Sequence, residues 1–141
     1  MKILLFILLL PSIAIGQEIK IGDKLHGGIV FEVKKNKGFV VALKEVGTFK
    51  WDDGLKACDT LTEGGYDDWY MPNLSEIEQL YYALHRSGIH TFSPGLYWSR
   101  RQNDGYKDLA WCFDFGTGIK NNSHSKNSAK VVLAIREYKL K

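Results

Sequence analysis

The run Gly64-Gly65-Tyr66-Asp67-Asp68-Trp69-Tyr70-Met71-Pro72-Asn73, leading straight into Leu74-Ser75-Glu76-Ile77-Glu78-Gln79-Leu80, constrains this chain more than any other stretch. The two glycines stop whatever helix precedes them. Pro72 pushes the residue before it away from helical geometry, so Tyr66 to Met71 is expected to be extended. Asn73 stands where a side-chain oxygen caps a new helix, and Glu76, three residues on, completes a capping box. Leu74, Ile77, Leu80, Tyr81 and Leu84 then recur at the spacing of one apolar helix face. That helix is expected to end at Ser87-Gly88.

On either side of this run the pattern changes. Ile29 to Val33 and Phe39 to Leu43 read as the two strands of a β-hairpin, with the lysine-rich turn Lys34 to Gly38 at its tip. A short helix after Trp51 is expected to be capped by Asp52 or Asp53 and to turn Cys58 inward. Downstream, Leu96 to Arg100 is strand-like, and Leu109 to Phe115 alternates as a half-buried strand does. Asn121 to Ser128 reads as a polar loop. Lys130 to Tyr138 reads as one central strand, because Val131 to Ile135 is apolar without interruption. A hairpin, two helices and a set of antiparallel strands make an α+β fold, with the last strand returning to the early hairpin.

Lys2, the apolar run from Ile3 to Leu10 and Ala14-Ile15-Gly16 have the form of a secretory leader. The expected organisation is therefore a leader at 1–16 and a single domain at 17–141, with no membrane span once the leader is cleaved; an uncleaved N-terminal anchor is the alternative. The apolar run falls short of the roughly 20 residues a span requires. Hydrophobic residues make up 45% of the chain and aromatics 13%, which indicates a packed globule. The net charge of +3 is too small to imply nucleic acid. In an exported chain the two cysteines, Cys58 and Cys112, are expected to form a disulfide. Closing that loop would contribute about 4 kcal/mol; two buried free thiols are the alternative.

Gly27-Gly28-Ile29-Val30-Phe31, the block Leu61 to Pro72 with its acidic helix, Tyr97-Trp98-Ser99-Arg100, Ala110-Trp111 to Gly116, Lys120-Asn121-Asn122, and Val132 to Arg136 together resemble the DUF1566 family. The same family is described as the C-terminal domain of the Legionella collagen-like adhesin. The likeness covers Gly22 to Tyr138; Arg100 stands where the family usually has a second serine. It implies a C-type-lectin-like fold, two helices packed on antiparallel strands with N- and C-terminal strands paired. The adhesin member is similar to binders of glycosaminoglycans and sulfated glycans. Stand-alone members with a leader resemble those of Bacteroidota. The collagen-like stalk is missing here, so a trimeric arrangement is not carried over.

The sequence lacks the serine-nucleophile, zinc-protease and phosphate-loop patterns, and its four histidines are scattered. No enzymatic activity and no cofactor are expected. Met71-Pro72-Asn73 and Trp111-Cys112-Phe113-Asp114 both lack the residues with which calcium-dependent lectins hold their ion. The candidate ligand site is the pair of late loops, 99–108 and 119–128. If the last strands are neighbours, these loops bring together Trp98, Arg100, Arg101, Asn103, Tyr106, Lys107, Asn121, Asn122, His124 and Lys126, with Lys120 alongside. Arginine forks match sulfate and carboxylate geometry; tryptophans stack on sugar rings, and although core packing is the default for all four, Trp98 and Trp111 are the better candidates because polar loops flank their strands. The expected protein is a secreted or periplasmic module for a glycan or sulfated polysaccharide. Two alternatives stand beside it: an extracellular-protein interaction domain on the same loops, and an oxidase-type enzyme of related fold that uses the cysteine pair.

Overall fold

A computed structural model describes residues 18–140; the expected leader at 1–16 lies outside the described residues. The elements are β1 (Lys24–Leu25), β2 (Gly28–Val33), β3 (Lys37–Ala42), β4 (Gly47–Phe49), α1 (Trp51–Asp59), a 3-10 turn (Glu63–Gly65), α2 (Leu74–Leu80), β5 (Leu96–Gln102), β6 (Leu109–Asp114), β7 (Lys120–Ser125), β8 (Lys130–Val132) and β9 (Ile135–Lys139). The last turns of the second helix, Tyr81–Arg86, widen into a π-helix. Four strands form one sheet in the order β1-β2-β3-β9, and five form the other in the order β4-β8-β5-β6-β7. Neighbours are antiparallel except β5 and β8, which run parallel. The fold is α+β, as the element pattern predicts.

The second helix forms for the reasons written in its sequence. Asn73 Oδ1 accepts the Glu76 N–H at 2.8 Å, and Glu76 Oε1 accepts the Asn73 N–H at 2.9 Å, so the capping box is complete. Leu74, Ile77, Leu80, Tyr81 and Leu84 are buried against Phe31, Tyr97, Phe113 and Phe115. The first helix differs from expectation. It starts at Trp51, its N-cap is Lys50, and no side chain caps it. Asp52 and Asp53 lie inside the first turn, where carboxylates face the positive end of the helix dipole. Gly54 weakens this helix in isolation but permits its docking: a Cβ there would stand 2.9 Å from both Met71 Cε and Val132 Cγ2.

The expected single strand Lys130 to Tyr138 is two strands. β8 belongs to the five-stranded sheet and β9 to the four-stranded one, with Leu133 and Ala134 carrying the chain across. The apolar run is continuous because the crossing passes between two cores. Leu133 and Ile135 point into the cluster under α2, while Val132 and Ala134 point into a second cluster around Trp51, Trp98 and Met71. Strands β4 and β7 were also not expected. β4 is only three residues long, and β7 has no apolar side chain to betray it; β7 is a sheet edge held by its backbone pairing to β6.

One ionic contact ties the opening run to both ends of the domain. Arg136, on β9, is 6% exposed. Its Nε donates to Asp68 Oδ1 at 2.6 Å, its Nη2 to Asp68 Oδ2 at 3.1 Å, and its Nη1 to the His26 carbonyl at 2.9 Å. The guanidinium lies 3.7 Å from the centre of the Tyr66 ring. Beside it the Tyr70 and Ile135 backbones exchange hydrogen bonds, both at 2.9 Å, which adds the extended segment to the edge of β9. Gly64, at φ +67°, lets the turn come against Gly27, whose Cα would stand 2.7 Å from an added Cβ.

The cysteine pair corrects an expectation: Cys58 and Cys112 are both free and buried, not bridged. Cys58 lies at the inner face of α1, with its thiol 3.7 Å from the Leu133 carbonyl, and Cys112 lies within β6. Burial pushes the Cys58 thiol up to about 12 and the Cys112 thiol up to about 11, so neither supplies thiolate at neutral pH.

Three outcomes follow. Native protein at pH 8 should leave a thiol reagent essentially unreacted, and denaturant without reductant should expose two reactive thiols; fewer than two would mean a bridge. Arg136→Met should cost about 2–4 kcal/mol in urea unfolding, because it leaves the Asp68 carboxylate and the His26 carbonyl without their shared donor. Asp68, held below the usual carboxylate range first by its hydrogen bonds from Arg136, contributes stability above its unfolded pKa and loses it as pH falls through the lower folded value. The stability gap between wild type and Asp68→Asn should therefore narrow as acid is added below about pH 3.8, the reference for a free aspartate.

Candidate functional site

β5, β6 and β7 are neighbours, and antiparallel pairing places the β5–β6 loop (103–108) and the β7–β8 loop (126–129) at one end of the sheet. The two loops touch. The Lys126 N–H donates to the Asp108 carbonyl at 2.9 Å, and Asn103 Nδ2 donates to the Asn122 carbonyl at 2.8 Å. Asn103 Oδ1 also accepts the Gly105 and Tyr106 N–H groups, so this asparagine pins the loop. Asn121 is likewise engaged locally, accepting from the N–H and hydroxyl of Ser123. Tyr106 is 69% exposed at the loop tip, with Lys107 exposed beside it.

A register shift between Trp98 and Gln102 shapes the middle of β5. Ser99 patches it: its hydroxyl donates to the Trp111 carbonyl at 2.9 Å and accepts the Arg101 N–H at 3.3 Å. Within this irregular stretch, two consecutive arginines each reach an aromatic ring. Arg100 lies 5.1 Å over Tyr70 and Arg101 lies 5.4 Å over Trp111. The Tyr70 hydroxyl donates to Glu76 Oε2 at 2.6 Å, and burial followed by this hydrogen bond raises its pKa.

Three of the four tryptophans are closed to a ligand. Trp51, Trp69 and Trp98 are 5%, 2% and 0% exposed, and only Trp111 keeps a partly open face. Trp98 therefore leaves the candidate set: its ring is core, and its Nε1 donates to the Phe49 carbonyl at 2.9 Å. Trp111, in the strand alternation one residue from buried Ala110 and Cys112, takes its place.

The basic residues do not form one patch. Arg100 faces Glu76 at 4.0 Å, Arg101 faces Asp104 at 3.5 Å, and Lys120 faces Glu78 at 3.2 Å. Lys120 starts β7 and so lies at the far end from the loops, against the second helix. Lys126 turns to the opposite face of the sheet, 4.3 Å over Trp51. His124 is also partly buried, and burial together with the charge of Lys130 lowers its pKa, which leaves it neutral near pH 7. The candidates thus divide between two faces: Arg100, Arg101 and Trp111 on the side of the second helix, Lys126 and His124 on the side of α1. Tyr70, Glu76 and Glu78 join the first face without having been singled out. Their signal was weak, because Glu76 and Glu78 read as ordinary helix surface and helix cap.

Among the described residues no group of three His, Cys, Asp or Glu side chains stands close enough to hold a metal ion, and no helix is long and apolar enough to cross a membrane. The profile of the Lcl C-terminal domain matches residues 26–136. The chain belongs to that family. Among curated proteins, no sequence matches it. The Lcl C-terminal domain match begins at His26 and ends at Arg136, which are joined by the Arg136 Nη1 hydrogen bond to the His26 carbonyl. The ends of the domain as sequence defines it are thus in direct contact.

Iodide should quench only a minor part of the tryptophan emission, the part owed to Trp111. Trp111→Phe should abolish that accessible fraction; a quenchable fraction that survives the substitution would contradict the burial pattern.

Proposed function

We propose that this Lcl C-terminal domain is an exported, non-catalytic module that binds a glycan on the face centred on Trp111. The observation that carries the reading is the single half-open tryptophan, flanked by Arg101 over its ring and by the exposed amides and hydroxyls of β7. A sugar ring stacks its C–H face on such a ring while its hydroxyls find donors and acceptors at the edge. Glu76, Glu78 and Asp104 beside Arg100, Lys120 and Arg101 supply both hydrogen-bond polarities and nearly cancel in charge. That balance favours a hydroxyl-rich glycan over a densely sulfated chain. The leader-like N-terminus supports export. The deeply buried, protonated thiols and the backbone-tied Ser99 hydroxyl support a non-catalytic role.

A second reading, a protein partner on the same end of the sheet, draws on Tyr106. An exposed tyrosine at a loop tip is the kind of side chain that anchors protein interfaces.

A glycan array probed at two salt concentrations tests the proposal. Binding should persist at high salt and fall about tenfold or more in Trp111→Ala, a loss of about 1.4 kcal/mol. Absence of any glycan signal, or full binding by Trp111→Ala, would sink it. Salt-sensitive binding confined to sulfated chains and lost in Arg100→Ala/Arg101→Ala would return the reading to a sulfated polysaccharide.

A further inference from the structure

We infer that the opposite face of the five-stranded sheet, beside the start of α1, carries a binding site for a small oxyanion group, held by the ammonium groups of Lys126 and Lys130 with His124 and Gln102 at its rim. This inference is independent of the glycan reading and concerns the other side of the sheet.

The register builds the site. Gln102, Ala110 and His124 pair in one row across β5, β6 and β7, and Trp98, Cys112 and Asn121 follow in the next part of the ladder. Ala110 and Cys112 are both small and fully buried, so the floor is low. Lys126 comes in from the β7–β8 loop, its Nζ 2.5 Å from Gln102 Oε1 and 4.3 Å from the Trp51 ring centre. Lys130 comes in from β8, its Nζ 5.0 Å from the Trp98 ring centre. Its charge acts on both Cys112 and His124, which places the ammonium within electrostatic reach of each.

Lys130 is the telling residue. Among the described residues three polar or charged side chains are buried: Ser99, Lys130 and Arg136. Ser99 and Arg136 have hydrogen-bond partners. Among the described residues, the Lys130 ammonium has neither a carboxylate within ion-pair distance nor a hydrogen-bond acceptor, although the residue is only 8% exposed. Its methylenes are covered while the ammonium tip still meets water, since Tyr138 Oη is the one buried side-chain polar atom without a partner among the described residues, so the charge is open to a ligand. On the neighbouring strand β6, the Asp114 carboxylate accepts the Gly116 N–H at 2.7 Å instead. On the Trp111 face, by contrast, each of Arg100, Arg101 and Lys120 meets a carboxylate. Two ammonium groups without a carboxylate, two tryptophan walls and a neutral imidazole able to donate one N–H suit a carboxylate, phosphate or sulfate group. A bound anion would offset the repulsion between Lys130 and a protonated His124 and so move that histidine's pKa upward.

The test is an NMR titration of the 15N-labelled domain with phosphate, sulfate, acetate and glucuronate at constant ionic strength. Saturable shifts are expected at the Ala110, Lys126 and Lys130 amides and the His124 ring, with the His124 titration moved to higher pH. Saturation by the free ions would identify a simple oxyanion site; saturation by glucuronate alone would identify a sugar-borne carboxylate. Lys130→Met keeps the methylene cover over Trp98 and should weaken binding at least about tenfold, while Lys130→Arg should retain it. Lys126→Gln, a change on the β7–β8 loop, serves as the second variant if Lys130→Met fails to fold. Shifts that stay linear with concentration, or that are unchanged in Lys126→Gln, would overturn the inference and leave Lys130 as a side chain that merely covers Trp98.

Discussion

The bidentate contact between Arg136 and Asp68 holds the rest of this domain in register. It is small in area, but it joins three segments distant in sequence: the turn at His26, the extended run from Tyr66 to Met71, and the last strand. The Tyr66 ring covers the guanidinium, and a buried arginine needs that fork of acceptors more than a buried apolar residue would need its neighbours. Asp68 itself remains half exposed, so water shares the cost of holding its charge. Because β9 cannot slide without breaking this fork, its pairing with β3 and the Tyr70–Ile135 bridge are set together.

From that contact the two cores follow. β9 ends a crossing that begins in β8, and alternate side chains along it feed opposite clusters. The second helix closes one cluster. α1 closes the other, and Gly54 permits the approach at the expense of helix propensity. The five-stranded sheet lies between the clusters, so its two faces meet different helices and acquire different chemistry. On one face every arginine is matched by a carboxylate. On the other, two lysines lie over tryptophan rings without one.

Much of the fold was legible in the residues because local rules decide it. The capping box at Asn73 and Glu76, the hairpin from Ile29 to Leu43 and the amphipathic second helix depend on neighbours a few positions apart. What misled was long-range. The Val131 to Ile135 run has the same composition whether it forms one buried strand or a crossing between sheets. β7 carries no apolar residue, so its pairing with β6 leaves no periodic mark. The cysteines are few and far apart, and their count alone cannot distinguish a bridge from two thiols packed in a core. The candidate site was half legible for the same reason: the late loops do converge, but alternation and a bulge send their side chains to two faces.

The sequence by itself determined the α+β class, the capped second helix, the early hairpin and membership of the family, because each rests on spacing, on turn chemistry or on motifs kept in order. Only the tertiary structure decided that Trp98 is core and Trp111 open, that Cys58 and Cys112 are free, and that Lys130 is buried without a counter-charge. Those outcomes depend on which strand lies beside which and on where a single bulge falls. A one-residue shift in register exchanges the faces of every side chain beyond it, and no local pattern in these residues records that shift.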